Sequence, residues 1–186
     1  MTLLIAGLCL WIGTHLIPSA APGLRQGCID KLGFNAYRGI FSLLVLSSLG
    51  LIIMGWRSSQ PVSVYLPAQD LRVPALLLMV LSFLCFGASQ RATRIGRLVR
   101  HPQLTGLLLW SISHLLTNGD SRSLWLFGAL GSWAVLEMIL ISRREGAWEK
   151  PQAPAWGVEI GGVAITLVVM AIVLWAHPWI AGIPVL

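Results

Sequence analysis

The sequence predicts an all-α protein: a polytopic membrane helical bundle of about six transmembrane helices. Of its 186 residues, 56% are hydrophobic and only 11% are charged, more apolar surface than a soluble domain of this length can bury. Six apolar segments are separated by proline- and glycine-containing breakers, and the positive charges concentrate in alternate loops. Because a span takes about 20 residues, six spans leave only short loops, and residues 1–186 are predicted to form a single integral membrane domain.

The six apolar segments follow one another along the whole chain and predict the helices in order. They are Leu3–Pro18, Ile40–Trp56, Val73–Ala88, Leu104–Leu116, Leu124–Ile141 and Val158–Trp179. Their boundaries are set by prolines and by the turn sequence Asn118-Gly119-Asp120. A five-span arrangement is the alternative, and it needs one short segment to be re-entrant.

The loops between these segments differ strongly in charge. The first, third and fifth loops hold ten of the thirteen lysines and arginines, and the second and fourth hold three. The positive-inside rule therefore places the odd-numbered loops in the cytoplasm, and with six spans both termini face the periplasm. This arrangement accounts for the net charge of +6 without nucleic acid as a partner and leaves membrane lipid as the expected surroundings.

A ten-residue pattern, G-L-x-L-W-x-x-x-H-L, occurs twice, in Gly7–Leu16 and in Gly106–Leu115. Each copy places a histidine four residues after a tryptophan, so the two side chains share one face of a helix. Helices one and four run in opposite directions in a six-span protein, so the pattern marks either an inverted repeat or a chance similarity in a leucine-rich chain.

The two histidines, His15 and His114, are the leading candidates for a cofactor site. They are predicted at roughly 18 Å and 15 Å along their helices, near the middle of a core about 30 Å thick. An imidazole there needs a partner, and two imidazoles near one depth can face one iron atom. The residues predict haem b bound by His15 and His114, with Trp11 and Trp110 as pocket walls. Hydrogen bonding to neighbouring helices is the alternative.

Other polar residues near the predicted helices have more than one interpretation. Arg100 and His101, in the sequence Arg-His-Pro at the start of helix four, are placed to bind a propionate or phosphate group or to serve a structural role at the interface. Arginines at every third position from Arg91 to Arg100 predict a short amphipathic helix on the cytoplasmic surface. Glu137 is the only acidic residue well inside an apolar segment, and it needs a partner or a proton.

Three further acidic or basic side chains have simpler predicted roles. Asp120 is a turn or N-cap residue, Glu159 is solvated, and His177 is an interfacial anchor of the last helix. The three cysteines form no CxxC or CxxCH motif, so neither a zinc knuckle nor covalently attached haem is indicated.

The chain resembles the NnrU family of membrane proteins. The resemblance rests on THLIPSAAPGLR, AYRGIFSLLVL, LVRHPQLTGLLLWSISHLLTNGD and SLWLFG. It implies a bacterial inner-membrane protein linked to nitrite and nitric oxide reduction (denitrification). It also implies kinship with plant 15-cis-zeta-carotene isomerase, a haem b enzyme in which two histidines hold the iron. By motif, His15 and His114 would be those ligands, but Ser111 stands where the plant enzyme has a cysteine.

A weaker resemblance connects the RHP-x-x-x-G block with isoprenylcysteine and phospholipid methyltransferases that use S-adenosylmethionine. Under that alternative Arg100, His101 and Glu137 would matter more than His15. A third alternative is a non-catalytic assembly or regulatory partner of a respiratory complex. The haem b interpretation implies a hydrophobic polyene substrate or a respiratory redox partner.

Overall fold

A computed structural model describes residues 1–182 as a bundle of α-helices, with no β-strand in that range. The helices are α1 Thr2–Ala20, α2 Pro22–Leu32, α3 Phe34–Ser58, α4 Arg72–Ala88, α5 Pro102–Thr117, α6 Ser121–Glu145 and α7 Trp156–Ala181. All six predicted apolar segments are helical, so the predicted all-α membrane bundle is confirmed. Among residues 1–182, five helical segments are long and apolar enough to cross a membrane, and one of them, Gln69–Ala88, adds a 3-10 turn to the start of α4. Helix α5, with 16 residues, is shorter.

The short helix α5 nevertheless extends alongside full-length neighbours. Its first turn meets the end of α6, where His101 bonds Ser142, and its last turn meets the beginning of α6, where His114 stacks on Phe127. On its other side it runs antiparallel to α4. The helix therefore occupies the place of a crossing segment between α4 and α6.

Two glycines bring α1 and α3 into backbone contact. A Cβ at Gly7 would lie 2.7 Å from the Ile52 nitrogen, and a Cβ at Gly55 would collide with the backbone of Leu4. Small residues permit this close approach between membrane helices. Leu4, Leu8 and Ile52 form the buried cluster beside this crossing.

Helix α6 lies between α1 and α5 and contacts both. It runs parallel to α1, since Trp133 meets Trp11 and Arg144 donates to the Pro18 carbonyl at 2.7 Å, and antiparallel to α5. Helices α1 and α5 therefore run in opposite directions, as expected. The last helix, α7, packs against α4, where Gly87 adjoins Thr166.

Two segments differ from the sequence expectation. Residues 22–32, expected as a loop, form α2, which begins at Pro22 and ends before Gly33 with φ 81°; proline suits a first helical position and glycine a left-handed exit. Conversely, the expected amphipathic helix of arginines is irregular apart from one 3-10 turn at Ile95–Arg97. Besides the hydrogen bonds of that turn, the backbone N–H of Arg94 bonds to Glu159 of α7.

The end of the bundle that carries this arginine loop is called the basic end below. The ends of α1, α4 and α6 and the starts of α3, α5 and α7 lie there. At the opposite end the turn Asn118-Gly119-Asp120 binds the loop after α3: the Gly119 carbonyl accepts from the Val64 N–H at 2.8 Å. A Cβ on Gly119 would collide with the Tyr65 carbonyl.

Candidate functional sites

His15 lies in an aromatic setting between α1, α3 and α6. Its Nδ1 is 2.8 Å from the Trp11 carbonyl, and its ring is stacked at 4.3 Å on the Trp11 ring and lies 5.3 Å from Trp133. Because a carbonyl only accepts, Nδ1 carries the proton, and Nε2 keeps its lone pair. No hydrogen bond engages Nε2 among the described residues, so this nitrogen is available to a ligand.

His114 repeats the arrangement on α5. Its Nδ1 donates to the Trp110 carbonyl at 2.9 Å, and the two rings are 4.7 Å apart. Its neighbours differ from those of His15: Phe127 is stacked at 4.3 Å, and His177 of α7 lies at 6.5 Å between ring centroids. The sequence repeat thus has a local structural counterpart, because each histidine bonds the tryptophan four residues earlier.

The two histidines lie against different parts of α6. His15 contacts Trp133 and His114 contacts Phe127, which are six residues apart and so about 9 Å along the axis and on different faces. The expectation of equal depth is wrong: α5 ends at Thr117, which puts His114 near the end away from the basic loops. The structure does not bring His15 and His114 to one site.

His15 instead faces a cavity of about 620 Å³ at the basic end of the bundle, a volume in the range of small-molecule sites. Among the residues that line it are His15, Arg91, Arg100, His101, Trp133 and Glu137. It therefore brings together His15, Arg100 and His101 from the predicted cofactor set. Trp11 stacks on His15 beside it, whereas His114 and Trp110 are not part of its lining.

His101 is the N-cap residue of α5, and its Nε2 lies 2.8 Å from Ser142 Oγ. Burial and the neighbouring Arg100 lower the pKa of His101, although Glu145 opposes them. Arg100 approaches Glu145 at 3.8 Å. Both residues thus tie α5 to the end of α6 while also lining the cavity.

Glu137 is buried at 4% exposure on the cavity wall. Its Oε2 has no hydrogen-bond partner, and no ion pair with it occurs within residues 1–182. Of the two expectations for this residue, a partner or a proton, no charged partner is present in the part of the chain that the structure describes. A buried carboxylate in this position needs a proton or a ligand.

Glu159, expected to be solvated, is instead buried at 9% exposure. Its carboxylate accepts from the Arg94 backbone N–H at 3.1 and 3.3 Å, and the Arg94 guanidinium lies 3.8 Å above the Trp156 ring. This contact joins the arginine loop to the first turn of α7. In the sequence, Glu159 is simply an acidic residue in the first turn of a helix, three residues after Trp156. Hydrophobic periodicity does not indicate that it contacts a loop 65 residues away.

Asp120 has its expected role as the N-cap of α6. One carboxylate oxygen accepts from the backbone N–H groups of Arg122 and Ser123, each at 3.1 Å. Ser111, by contrast, packs against Gly131 of α6 with its hydroxyl buried and unpartnered. Its side chain is thus directed toward the α5–α6 contact.

These features define a multi-pass membrane protein of membrane-length helices with two half-buried histidines, each bonded to the carbonyl of a tryptophan. The chain belongs to the NnrU family: the family model described as NnrU protein matches residues 3–185. No curated protein and no solved structure matches the chain.

Proposed function

We propose that this protein is a redox-linked membrane protein that binds haem b. The observation that carries the proposal is the local arrangement that His15 and His114 share, each on its own helix. Each donates its Nδ1 proton to the carbonyl of the tryptophan four residues earlier, at 2.8 and 2.9 Å. Metal-binding histidines characteristically donate their second ring nitrogen to such an acceptor, which fixes the tautomer and leaves Nε2 for the metal.

The donor set also favours haem over a bare metal ion. No group of three or more histidine, cysteine or acidic side chains that could hold an ion occurs among residues 1–182, whereas structural zinc needs four ligands. Haem iron already has four ring nitrogens and takes one or two axial ligands from the protein. The aromatic rings around both histidines would exclude water from such a group.

Bound haem would supply one-electron chemistry and could also bind a small molecule. The residues themselves determine the ligand field, the dielectric and the access route. Two candidate roles follow from the family resemblance: support of nitrite or nitric oxide respiration, and isomerisation of a polyene lipid. Ser111 stands where the plant isomerase has a cysteine, and it is buried against Gly131. The isomerase role would therefore have to proceed without a thiol at this position.

The test is an optical spectrum of the detergent-purified protein, oxidised and reduced with dithionite, made in haem-replete cells. A b-type spectrum is expected in the wild type and a changed or lost one in His114→Ala. Gly50→Ala is the control, because an added Cβ at Gly50 has nothing within 4 Å, and it should retain the spectrum. A colourless wild type would overturn the proposal.

A second candidate function has one observation in its favour. Arg100, His101 and Glu137, the three residues of the methyltransferase alternative, line one cavity at the basic end. S-adenosylmethionine is a cation with a carboxylate, so the arginine and the buried glutamate could contact opposite charges on it. Calorimetric titration of the protein with S-adenosylmethionine tests this candidate. Binding to the wild type that is lost in Glu137→Gln would support it, and absence of binding to the wild type would contradict it.

A further inference from the structure

The cavity at the basic end has charges that define a ligand of its own. We propose that it binds a phosphate ester that carries a primary ammonium group, namely phosphoethanolamine, either free or as the headgroup of a phospholipid. The phosphate contacts Arg91 and Arg100 at the mouth of the cavity, and the ammonium group contacts Glu137 inside it. This inference goes beyond the proposed function, because it concerns the occupant of the cavity and does not depend on haem.

The state of Glu137 carries the inference. The residue is 4% exposed and lines the cavity, its Oε2 has no hydrogen-bond partner, and no cation within residues 1–182 pairs with it. A buried ionised carboxylate is costly without a positive partner, and a buried neutral acid still needs hydrogen bonds. An ammonium group brings both a positive charge and three N–H donors. It therefore supplies what the described chain does not.

The mouth of the same cavity presents positive charge. Arg91, in the loop after α4, is exposed; its guanidinium lies beside Gly162 of α7 and makes no ion pair within the described residues. Arg100 is only loosely paired, since its Nη2 lies 3.8 Å from a Glu145 carboxylate oxygen. The planar guanidinium of arginine presents donors that match the oxygens of a phosphate group. The mouth therefore favours a phosphate.

The separation of the two charged regions along α6 fits a short ligand. His101, at the mouth, bonds Ser142, and Glu137 comes five residues before Ser142, or about 7.5 Å along the helix axis. A gap of this order takes two charge-assisted hydrogen bonds of about 2.8 Å and a short linker, such as the two-carbon chain of ethanolamine. Trp133, which contacts His15, lies a further turn from the mouth, so this ligand leaves His15 free for its proposed role.

The same contacts predict a selectivity among phosphate esters. Phosphocholine has the same phosphate group, but its quaternary nitrogen has no N–H donor, so Glu137 would remain without a hydrogen bond. Inorganic phosphate binds the arginines and leaves Glu137 without a cation. We therefore expect the site to prefer phosphoethanolamine to both.

Calorimetric titration of the full-length wild type in detergent tests this preference with phosphoethanolamine, phosphocholine, inorganic phosphate and S-adenosylmethionine. Phosphoethanolamine should bind about tenfold or more tightly than phosphocholine or phosphate, as expected for a hydrogen bond to a charged group. Equal binding of phosphoethanolamine and phosphate, or binding of S-adenosylmethionine alone, would overturn the inference. A colourless protein that shows the preference would support the inference and overturn haem binding.

Single substitutions assign the two halves of the ligand to their residues. Glu137→Gln should abolish the preference for phosphoethanolamine over phosphate, and Arg91→Gln should weaken the binding of both about tenfold. Arg97→Gln is the matched control, because Arg97 belongs to the same loop and is not among the residues that line the cavity. An unchanged preference in Glu137→Gln, or equal weakening by Arg91→Gln and Arg97→Gln, would contradict the assignment.

A last comparison identifies the source of the ligand. Short-chain phosphatidylethanolamine in mixed micelles is titrated beside free phosphoethanolamine, with short-chain phosphatidylcholine as the lipid control. Tighter binding of the phosphatidylethanolamine than of both others would assign the site to a membrane headgroup, and tighter binding of the free ester would assign it to a soluble ligand. Equal binding of the two lipids would contradict recognition of the ammonium group.

Discussion

At the scale of single residues, the buried and half-buried polar side chains have different kinds of hydrogen-bond partner. His15 and His114 satisfy one nitrogen with a carbonyl of their own helix, whereas Ser82 and Ser113 donate to carbonyls of the neighbouring helix, Gly106 and Ala75, at 2.7 Å each. Only Glu137 lies buried with a carboxylate oxygen that nothing in the described chain satisfies. We infer from this contrast that the Glu137 side chain does not stabilise the fold and serves to bind a ligand or a proton.

Glu137→Gln should therefore raise the stability of the protein without its ligand. The change keeps the side-chain volume and removes a buried acid, so we expect a gain of about 1 kcal/mol, equivalent to about 2–4 °C in melting temperature for a chain of this size. Thermal melting in detergent measures it. Glu145→Gln, at a half-exposed side chain, is the control and should change little. A lower melting temperature for Glu137→Gln would mean that the carboxylate is stabilising.

The lowered pKa of His101 predicts a pH dependence of stability. Burial and Arg100 favour the neutral ring in the folded state, so below the ordinary value of 6.5 the unfolded chain binds more protons than the folded one. Stability should fall as the pH drops below that value. Melting temperatures on both sides of pH 6.5 should show this slope in the wild type and a weaker one in His101→Gln. The same slope in His101→Gln as in the wild type would show that another group causes the pH dependence.

At the scale of elements, small residues decide which helices touch. Gly7 and Gly55 allow the backbones of α1 and α3 to touch. Gly106 does the same for α5 and α4, because a Cβ added there would lie 2.9 Å from the Ser82 carbonyl oxygen. Without a hydrophobic driving force between helices in lipid, such close packing and interhelical hydrogen bonds supply the attraction.

Gly55→Ala should destabilise the bundle, because its Cβ would collide with the backbone of Leu4, which cannot move without shifting α1. The expected loss is about 1–3 kcal/mol. Gly50→Ala, on the same helix with nothing within 4 Å of the added Cβ, should be neutral or gain up to about 1 kcal/mol of helix propensity. Parallel thermal melts of the two variants make the comparison. Equal effects would contradict the contact between α1 and α3.

At the scale of the whole molecule, the alternation of helix direction gathers the basic residues at one end. The arginine loop, Lys31 and Arg143 lie there, and only Arg57, Arg72 and Arg122 belong to the other end. We propose from this asymmetry that the basic end faces the cytoplasm of a bacterial cell and that both termini face the periplasm.

Reporter insertions test this orientation. Alkaline phosphatase, active only outside the cytoplasm, should be active when inserted in the loop at residues 60–68 or fused to the C-terminus, and inactive at residues 146–155. A fluorescent protein that matures only in the cytoplasm should give the opposite pattern. Phosphatase activity in the segment 146–155 would reverse the assignment, and an inactive C-terminal fusion beside an active one at 60–68 would favour five spans.

The sequence by itself determined the class of protein and the position of its helices. Apolar segments of about 20 residues form helices in lipid, since a helix satisfies its backbone hydrogen bonds within the segment itself. It likewise determined the local pairing of each histidine with the tryptophan four residues before it, because the helical repeat fixes neighbours at that spacing. The capping of α6 by Asp120 was determined in the same way, because the side chain bonds backbone N–H groups only two and three residues later.

Only the tertiary structure decided which residues from different helices meet. Depth along a helix says nothing about the direction in which a side chain faces, and the placement of α6 between α1 and α5 separates His15 from His114. The same packing brings His177 beside His114 and joins Glu159 to Arg94, 65 residues apart. Such contacts depend on where glycines allow helices to approach, which the hydropathy of each segment does not encode.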